Sequence, residues 1–311
     1  MPSWKGKSQS GLLGYKIFVF TLKIHGLPLA YFILRFVASY YLFFSFKTFK
    51  SSWHFYRKML RLPFLKSIGS IYRNYYNLGV SLLDKFASMA GVKTNFTFDF
   101  EGEEFLHEMA KAGRGGVLIS GHLGNWDMAG NMLKRIETKV NVVLFEGEAA
   151  QIKKYMDRFS GAPNYNIISV KQDMSHIFQI SAAIQRNEFI CIHGDRFTEG
   201  TKTFETEFMG QKALFPSGVF QIAHKLKTPY TFVYAIKETS KHYHYSASQP
   251  KLSTISPENI LKEYVITLEE KVKQYPTQWF NFYNFWTEGR GLEKEVLNGQ
   301  KPAVSSKTLV A

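Results

Sequence analysis

The chain has 311 residues, which is enough for one large domain or two small ones. Apolar residues make up 45% of it and charged residues 21%, so the chain can bury a real core and is not disordered throughout. Its single cysteine, Cys191, excludes a disulfide framework and a cysteine-based zinc site, and it fits a reducing compartment.

The net charge of +14 is concentrated at the N-terminus. The first 83 residues contain twelve Lys or Arg and no acid, and the first carboxylate is that of Asp84. The same region is the most apolar and aromatic part of the chain. Basic, apolar and aromatic residues together indicate a membrane surface, whereas nucleic acid would account for the charge but not for the apolar stretches. We therefore predict a membrane-associated helical region over 1–91.

Within this region, segment 26–46 is long enough to span a bilayer. Its single charge, Arg35, lies near the middle, where insertion costs about 2.5–3.5 kcal/mol. A helix in the membrane interface is therefore at least as good an interpretation as a full span, and a buried core helix is the alternative. The segment does not resemble a secretory signal, because Lys16 and Lys23 interrupt the preceding apolar run.

From residue 92 onward, strand patterns alternate with helix patterns. Predicted strands are 95–100, 116–120, 140–145, 166–170, 189–193, 231–236 and 243–248. Predicted helices are 101–111, 124–136, 149–159, 175–186, 216–227 and 257–274. This order predicts an α/β domain over 92–295, with a mostly parallel central sheet flanked by helices, and a disordered tail over 296–311. Ligands of such sheets bind beyond the carboxyl ends of the strands.

The candidate chemistry follows the predicted strand 116–120. His122 lies between Gly121 and Gly124, which allow a tight bend, and Asp127 follows five residues after the histidine. A carboxylate bonded to one ring nitrogen fixes the tautomer of a histidine, and the other nitrogen can then take a proton from an attacking hydroxyl. We therefore predict that His122 and Asp127 form a general-base pair. The alternative is that His122 caps a helix and Asp127 is a surface residue.

The Gly121–Asp127 segment, Gly-His-Leu-Gly-Asn-Trp-Asp, resembles the His-x4-Asp/Glu block of the lysophospholipid acyltransferase superfamily. Its context is closest to the lipid A biosynthesis (lauroyl/myristoyl) acyltransferase family. The resemblance covers residues 10–290 and rests on four further blocks in the same order. They are Gly194-Asp195-Arg196, Phe208-Met209-Gly210, Phe215-Pro216-Ser217-Gly218 and Tyr275-Pro276-Thr277-Gln278-Trp279. The sequence departs from the family after Trp279, where an aromatic run to Trp286 replaces the family's Trp and basic pair.

This resemblance implies acyl transfer from an acyl carrier protein or CoA thioester to a hydroxyl of a membrane lipid, most simply a lipid A precursor. His122 is then the base and Asp127 its partner, with no cofactor, no metal and no nucleic acid expected. The implied location is the cytoplasmic face of the cell inner membrane. The predicted substrate-binding residues are Asn125, Asp195, Arg196, Glu199, Gly200, Lys202, Ser217 and Gly218. Among them, Arg196 or Lys202 could pair with a phosphate, and Ser217 and Gly218 could offer backbone N–H groups to an anion.

Three other interpretations remain open from the sequence. The acceptor could instead be another amphipathic lipid or an aromatic compound, since the run after Trp279 contains no basic residue. A membrane-associated metallohydrolase could use His122, Asp127, His193 and Asp195 as ligands. A non-enzymatic membrane scaffold would tolerate replacement of His122. A serine hydrolase fits less well, because the chain has no Gly-x-Ser-x-Gly motif.

Overall fold

A computed structural model describes residues 12–89, 91–129, 135–147, 165–171, 173–198 and 200–287. The N-terminal part is helical, whereas the rest alternates between strands and helices. The N-terminal helices are α1 (Leu12–Phe44), α2 (Phe46–Trp53) and α3 (Phe64–Met89), with a π-helical segment, His54–Met59, after α2. The tail predicted as disordered and the helix predicted over 149–159 lie outside the described residues.

Helix α1 contains a break at Gly26, whose backbone is in the left-handed region at φ 72°. Pro28 lies just beyond the break, where its missing N–H does not interrupt a continuous helix. Within the described residues, Gly26–Phe44 is the one helical stretch that is long and apolar enough to cross a membrane, with a mean hydropathy of 1.5. Only 22% of its most apolar window is buried by the rest of the chain, so most of its apolar surface faces outward.

The N-terminal helices pack directly on the α/β part. The Tyr56 hydroxyl donates to Pro276 O at 3.0 Å, and Asn74 Nδ2 donates to the carbonyl oxygens of Thr277 and Trp279, each at 3.0 Å. Phe55 and Tyr56 are buried in the same hydrophobic core as the sheet residues. The helices therefore form one continuous structure with the sheet.

A buried carboxylate in α3 links the two parts electrostatically. Asp84 is fully buried and accepts hydrogen bonds from Tyr31, Tyr243 and the ammonium of Lys237. Burial raises the pKa of Asp84 and lowers the pKa of Lys237, while their mutual attraction acts against both shifts. Removing one member of such a pair leaves an uncompensated buried charge, so the pair ties α3 to the sheet.

The strands of the large sheet are β1 (Thr97–Glu101), β2 (Gly116–Ser120), β3 (Val140–Phe145), β4 (Tyr165–Val170), β5 (Phe189–His193), β8 (Pro229–Lys237), β9 (His242–Ala247) and β10 (Lys251–Leu252). They lie in the order β1-β9-β8-β2-β5-β3-β4, with β10 paired to β8. Among the described strand pairs of this sheet, only β8–β9 and β8–β10 are antiparallel. The expected mostly parallel α/β sheet is confirmed.

Helices cover both faces of this sheet. The described helices of this part are α4 (Glu103–Lys111), α5 (Trp126–Ala129), α6 (Ser175–Gln185), α7 (Ser217–Leu226) and α8 (Pro257–Gln274), followed by a 3₁₀ turn, Pro276–Gln278. Side chains alternate along β2, so Val117 and Ile119 join one core with α8, whereas Leu118 joins a second core with α4.

The hairpin that follows β5 was not predicted from the sequence. Strands β6 (Thr203–Phe208) and β7 (Gln211–Pro216) form a separate antiparallel hairpin. Met209 and Gly210 form its turn with φ values of 55° and 80°, the left-handed pair that suits a two-residue hairpin loop. The helix predicted over 124–136 begins at Trp126, and its described part ends at Ala129.

Candidate active site

The candidate site lies where two neighbouring parallel strands end. Strands β2 and β5 pair in register, with Ser120 opposite His193. Each strand is followed by a glycine and then by a polar residue, His122 after β2 and Asp195 after β5. Gly194 N donates to Ser120 O at 2.8 Å, which holds the two strand ends together. The strand order therefore brings His122 and Asp195 side by side.

Asp195 holds the histidine through both carboxylate oxygens. His122 Nδ1 lies 2.7 Å from Asp195 Oδ1, and His122 N donates to Asp195 Oδ2 at 2.8 Å. The side chain of Asp195 is 2% exposed and that of His122 is 18% exposed. Burial by itself would raise the pKa of Asp195, but the charge and hydrogen bond of His122, with Arg196 nearby, hold that pKa well below its usual range. An ionised carboxylate thus fixes the ring and leaves Nε2 for proton transfer.

Glycines make this close arrangement possible. A Cβ atom on Gly121 would lie 2.9 Å from the Tyr264 hydroxyl oxygen, and one on Gly124 would lie 2.0 Å from Ala235 O. Gly124 also has a φ of 75°, a left-handed conformation that side-chain-bearing residues rarely adopt. The tight bend expected at these two glycines is therefore present in the described structure.

Asp127 lies elsewhere. Helix α5 begins at Trp126, so His122 precedes the helix, and Asp127 in its first turn faces α3 instead. Its Oδ1 atom is 2.8 Å from Lys85 Nζ, and the same ammonium lies 5.6 Å from the centre of the Trp126 ring. The expected contact of Asp127 with His122 is therefore corrected: the carboxylate on the ring belongs to Asp195.

Comparison with known proteins identifies the family of the chain. The family model of bacterial lipid A biosynthesis acyltransferases matches residues 77–288, a range that includes His122 and Asp195. The chain belongs to this family. It is accordingly an acyltransferase, and the metallohydrolase and scaffold alternatives are not supported.

Among solved structures, a similar one is the crystal structure of the 1-acyl-sn-glycerophosphate (LPA) acyltransferase PlsC from Thermotoga maritima. The two chains are 14% identical, with a TM-score of 0.40, and the similarity covers 81% of this chain and 97% of that chain. No significant match was found among curated proteins.

Two further residues predicted to bind substrate hold this acyltransferase's loops in place. Asn125 is buried, and its Nδ2 donates at 3.1 Å both to Ser81 O and to the Tyr243 hydroxyl. The Arg196 guanidinium donates to Phe280 O. Each side chain therefore has a structural partner: Asn125 anchors the loop after β2, and Arg196 anchors the C-terminal aromatic run.

That aromatic run packs mainly as core. The side chains of Trp279, Phe285 and Trp286 are at most 2% exposed and contact one another edge to face. The Tyr283 hydroxyl donates to the backbone oxygen of Asp195 at 3.3 Å, so the aromatic run also contacts the candidate site directly.

The predicted anion-binding residues form a separate group. Ser217 N donates to Lys202 O at 2.9 Å, so this N–H at the start of α7 is occupied by the chain itself and is not available to an anion. Gly200 and Lys202 are exposed, and Gly218 follows Ser217 in α7. Glu199 lies outside the described residues.

His193 adds a second imidazole beside His122. The two ring centres are 4.4 Å apart, and the His193 ring also meets Trp126 edge to face at 5.4 Å. Burial, together with the charges of His122 and Arg196, lowers the pKa of His193 to about 3, so its ring is neutral at physiological pH. Of the four metal ligands that the sequence suggested, His122, His193 and Asp195 come within 4.8 Å of one another, and Asp127 is not in this group.

The sequence did not predict a cavity, which opens next to His193. It is predominantly apolar, and Trp126, Val142, Tyr165, Cys191 and Tyr245 contribute to its wall. Burial raises the pKa of the Cys191 thiol to about 12, so the thiol is neutral and contributes apolar surface. Because its lining comes from strands β2, β3, β4, β5, β8 and β9 and from helices α4 and α5, only the assembled sheet reveals it.

Proposed function

We propose that this acyltransferase moves a fatty acyl chain from an acyl carrier protein or CoA thioester to a hydroxyl of a membrane lipid, with a lipid A precursor as the favoured acceptor. His122 is the general base and Asp195 is the residue that orients it. The observation that carries the proposal is the 2.7 Å contact between His122 Nδ1 and Asp195 Oδ1 at the carboxyl end of the sheet.

In this reaction, His122 Nε2 takes the proton of the acceptor hydroxyl as its oxygen attacks the thioester carbonyl carbon. The carbon–sulfur bond then breaks, and His122 returns the proton to the departing sulfur. Asp195 stabilises the imidazolium that exists between these two steps. No covalent acyl-enzyme is needed, because the acceptor hydroxyl is itself the nucleophile.

The apolar cavity beside His193 is our proposed site for the acyl chain. Its wall is predominantly apolar, and His193 connects it to the ring of His122 through their 4.4 Å contact. A hydrocarbon chain gains about 0.8 kcal/mol for each methylene buried in such a site. The cavity has a volume of about 50 Å³, so it would receive only the end of the chain, and its depth would select the length of the transferred chain.

The exposed face of α1 supports access to a membrane acceptor. Phe32, Phe36, Tyr40 and Phe43 recur at helical spacing, and each is more than half exposed. With Lys47 and Lys50 just beyond them, these rings suit an interface between acyl chains and anionic head groups. The same positive charge suits an acidic acyl carrier protein as donor. We propose that the enzyme acts at the cytoplasmic face of the inner membrane.

The direct test is a transfer assay with purified full-length enzyme, acyl donor and lipid acceptor in vesicles, followed by mass spectrometry of the lipids. A product that is heavier by one acyl group, formed by the wild type and not by His122→Ala, supports the proposal. Comparing a lipid A precursor with a glycerol-based lysolipid identifies the acceptor. Equal product from His122→Ala would refute the general-base mechanism.

A further inference from the structure

We infer that His122, His193 and Asp195 form a binding site for a divalent transition-metal ion such as Zn²⁺, and that this ion inhibits the enzyme reversibly. The metal-binding part of this inference stands on geometry alone. The inhibitory part rests on the proposed role of His122 as the base.

The three side chains offer a suitable ligand set. Two imidazoles and one carboxylate are ligands that Zn²⁺ prefers, and three protein ligands leave a fourth position for water. One ligand atom from each residue lies within 4.8 Å of the other two. Ligands bound at about 2.0–2.2 Å around a tetrahedral ion are about 3.5 Å apart, so His122 Nδ1 and Asp195 Oδ1, which are 2.7 Å apart, would separate by less than about 1 Å to admit the ion.

The frame of the site is rigid. His193 ends β5, and His122 and Asp195 follow β2 and β5 after one glycine each. Asp195 is held by two contacts to His122 and by the packing of its buried side chain. A site built on paired strands loses little conformational freedom when it closes around an ion.

His193 supplies a ligand whose ring interacts with the backbone of Gly121, while its Nδ1 atom is buried without a hydrogen-bond partner among the residues that the structure describes. Its ring lies against that of His122 and takes no part in the His122–Asp195 hydrogen bond. A buried polar atom without a partner is costly and is a common sign of an absent ion or water. His193 is therefore the residue that turns a hydrogen-bonded pair into a three-ligand set.

Metal binding would compete with catalysis. The ion would replace the proton shared by His122 Nδ1 and Asp195, and that proton would pass to solvent. A metal-bound imidazole is a poorer base. The ion would also lie between His122 and Asp195, so the Asp195 carboxylate could no longer stabilise the protonated form of His122. The nearby guanidinium of Arg196 disfavours a second positive charge, so we expect binding weak enough to be reversed by a chelator.

The test uses full-length enzyme, stripped of metal, with Zn²⁺ in isothermal titration calorimetry and Co²⁺ as a spectroscopic probe. We expect one ion per chain and the intense visible absorption of tetrahedral Co²⁺. His193→Gln should weaken binding by about 100-fold or more, above the 10–100-fold typical of losing an outer partner. His107→Gln, at the half-exposed histidine of α4, is the matched control and should bind as the wild type does.

Transfer rates are then measured with increasing Zn²⁺, each variant relative to its own metal-free rate. The wild type and His107→Gln should be inhibited and recover with chelator, whereas His193→Gln should resist. If His193→Gln does not fold, Asp195→Asn in the calorimetric assay provides the same test of the ligand set.

Three results would overturn the inference: no binding, equal binding by His193→Gln, or activity that requires the metal. Absence of transfer by the wild type both with and without metal would instead refute the proposed function and leave the calorimetric result standing.

Discussion

His122 Nδ1 and Asp195 Oδ1 lie 2.7 Å apart although 73 positions separate the two residues in the chain. Asp127, only five positions from His122, pairs instead with Lys85 of α3 at 2.8 Å. Both carboxylates lie within a few residues after a glycine. Only Asp195 follows β5, the strand that pairs with the strand preceding His122. The sheet pairing, and not the sequence spacing, thus selects the partner of the histidine.

The first prediction separates the two carboxylates. His122→Ala and Asp195→Asn should each reduce the transfer rate about 10²–10⁴-fold, because the base is lost or its tautomer is no longer fixed. Asp127→Asn should cost less, since it removes an ion pair with Lys85 and leaves the His122–Asp195 contact in place. Rates are measured at saturating donor on variants with the circular dichroism of the wild type. If Asp127→Asn were as slow as Asp195→Asn, Asp127 would be the orienting residue.

The second prediction concerns the exposed face of α1. Replacing Phe32, Phe36 and Phe43 together by Ser should release the enzyme from vesicles, because burying each phenyl ring contributes about 1.5–3 kcal/mol. Vesicle flotation measures the bound fraction. Phe178→Ser, on the exposed face of α6, is the control and should not change binding. High salt should leave the wild type bound, and release by salt alone would indicate a purely electrostatic association.

The third prediction concerns chain length. Cys191→Trp places a large ring in the cavity beside His193 and should shift the preferred acyl donor to a shorter chain. Each methylene that no longer fits would cost a long donor about 0.8 kcal/mol, or about fourfold in relative kcat/KM. Cys191→Ala, which removes little volume, should keep the wild-type preference. The enzyme is given acyl donors of different lengths in competition, and mass spectrometry measures which acyl group is transferred. If Cys191→Trp kept the wild-type preference, the acyl chain would bind outside this cavity.

The fourth prediction concerns the link between the N-terminal helices and the sheet. Asp84→Ala should lower the free energy of unfolding by about 3–5 kcal/mol, because it leaves the buried ammonium of Lys237 unpaired. The double variant Asp84→Leu/Lys237→Met, which removes both charges, should be more stable than Asp84→Ala. Thermal unfolding of the full-length variants shows which of the two is more stable. A double variant less stable than the single one would show that the unpaired ammonium is not the main cause of the lost stability.

Local features of the sequence determined most of the sheet and the position of the histidine. Strands β2, β3 and β5 are short apolar runs bounded by polar or glycine residues, and their predicted limits agree with the structure. Helix α8 likewise follows from its apolar spacing and from Pro257 at its start. The hairpin β6–β7 carried a signal too, since Met209-Gly210 is a two-residue turn between alternating segments.

Only the tertiary structure decided which groups meet. Sequence spacing placed Asp127 near His122, but the late start of α5 and the attraction of Lys85 direct it to α3. The sheet order places β5 beside β2, which brings Asp195 and His193 to His122 and creates the apolar cavity beside them. Strand order depends on contacts between residues far apart in the chain. Hydrophobic periodicity and turn residues report only their own neighbourhood, so they place His122 at the end of a strand but do not identify the carboxylate that contacts it.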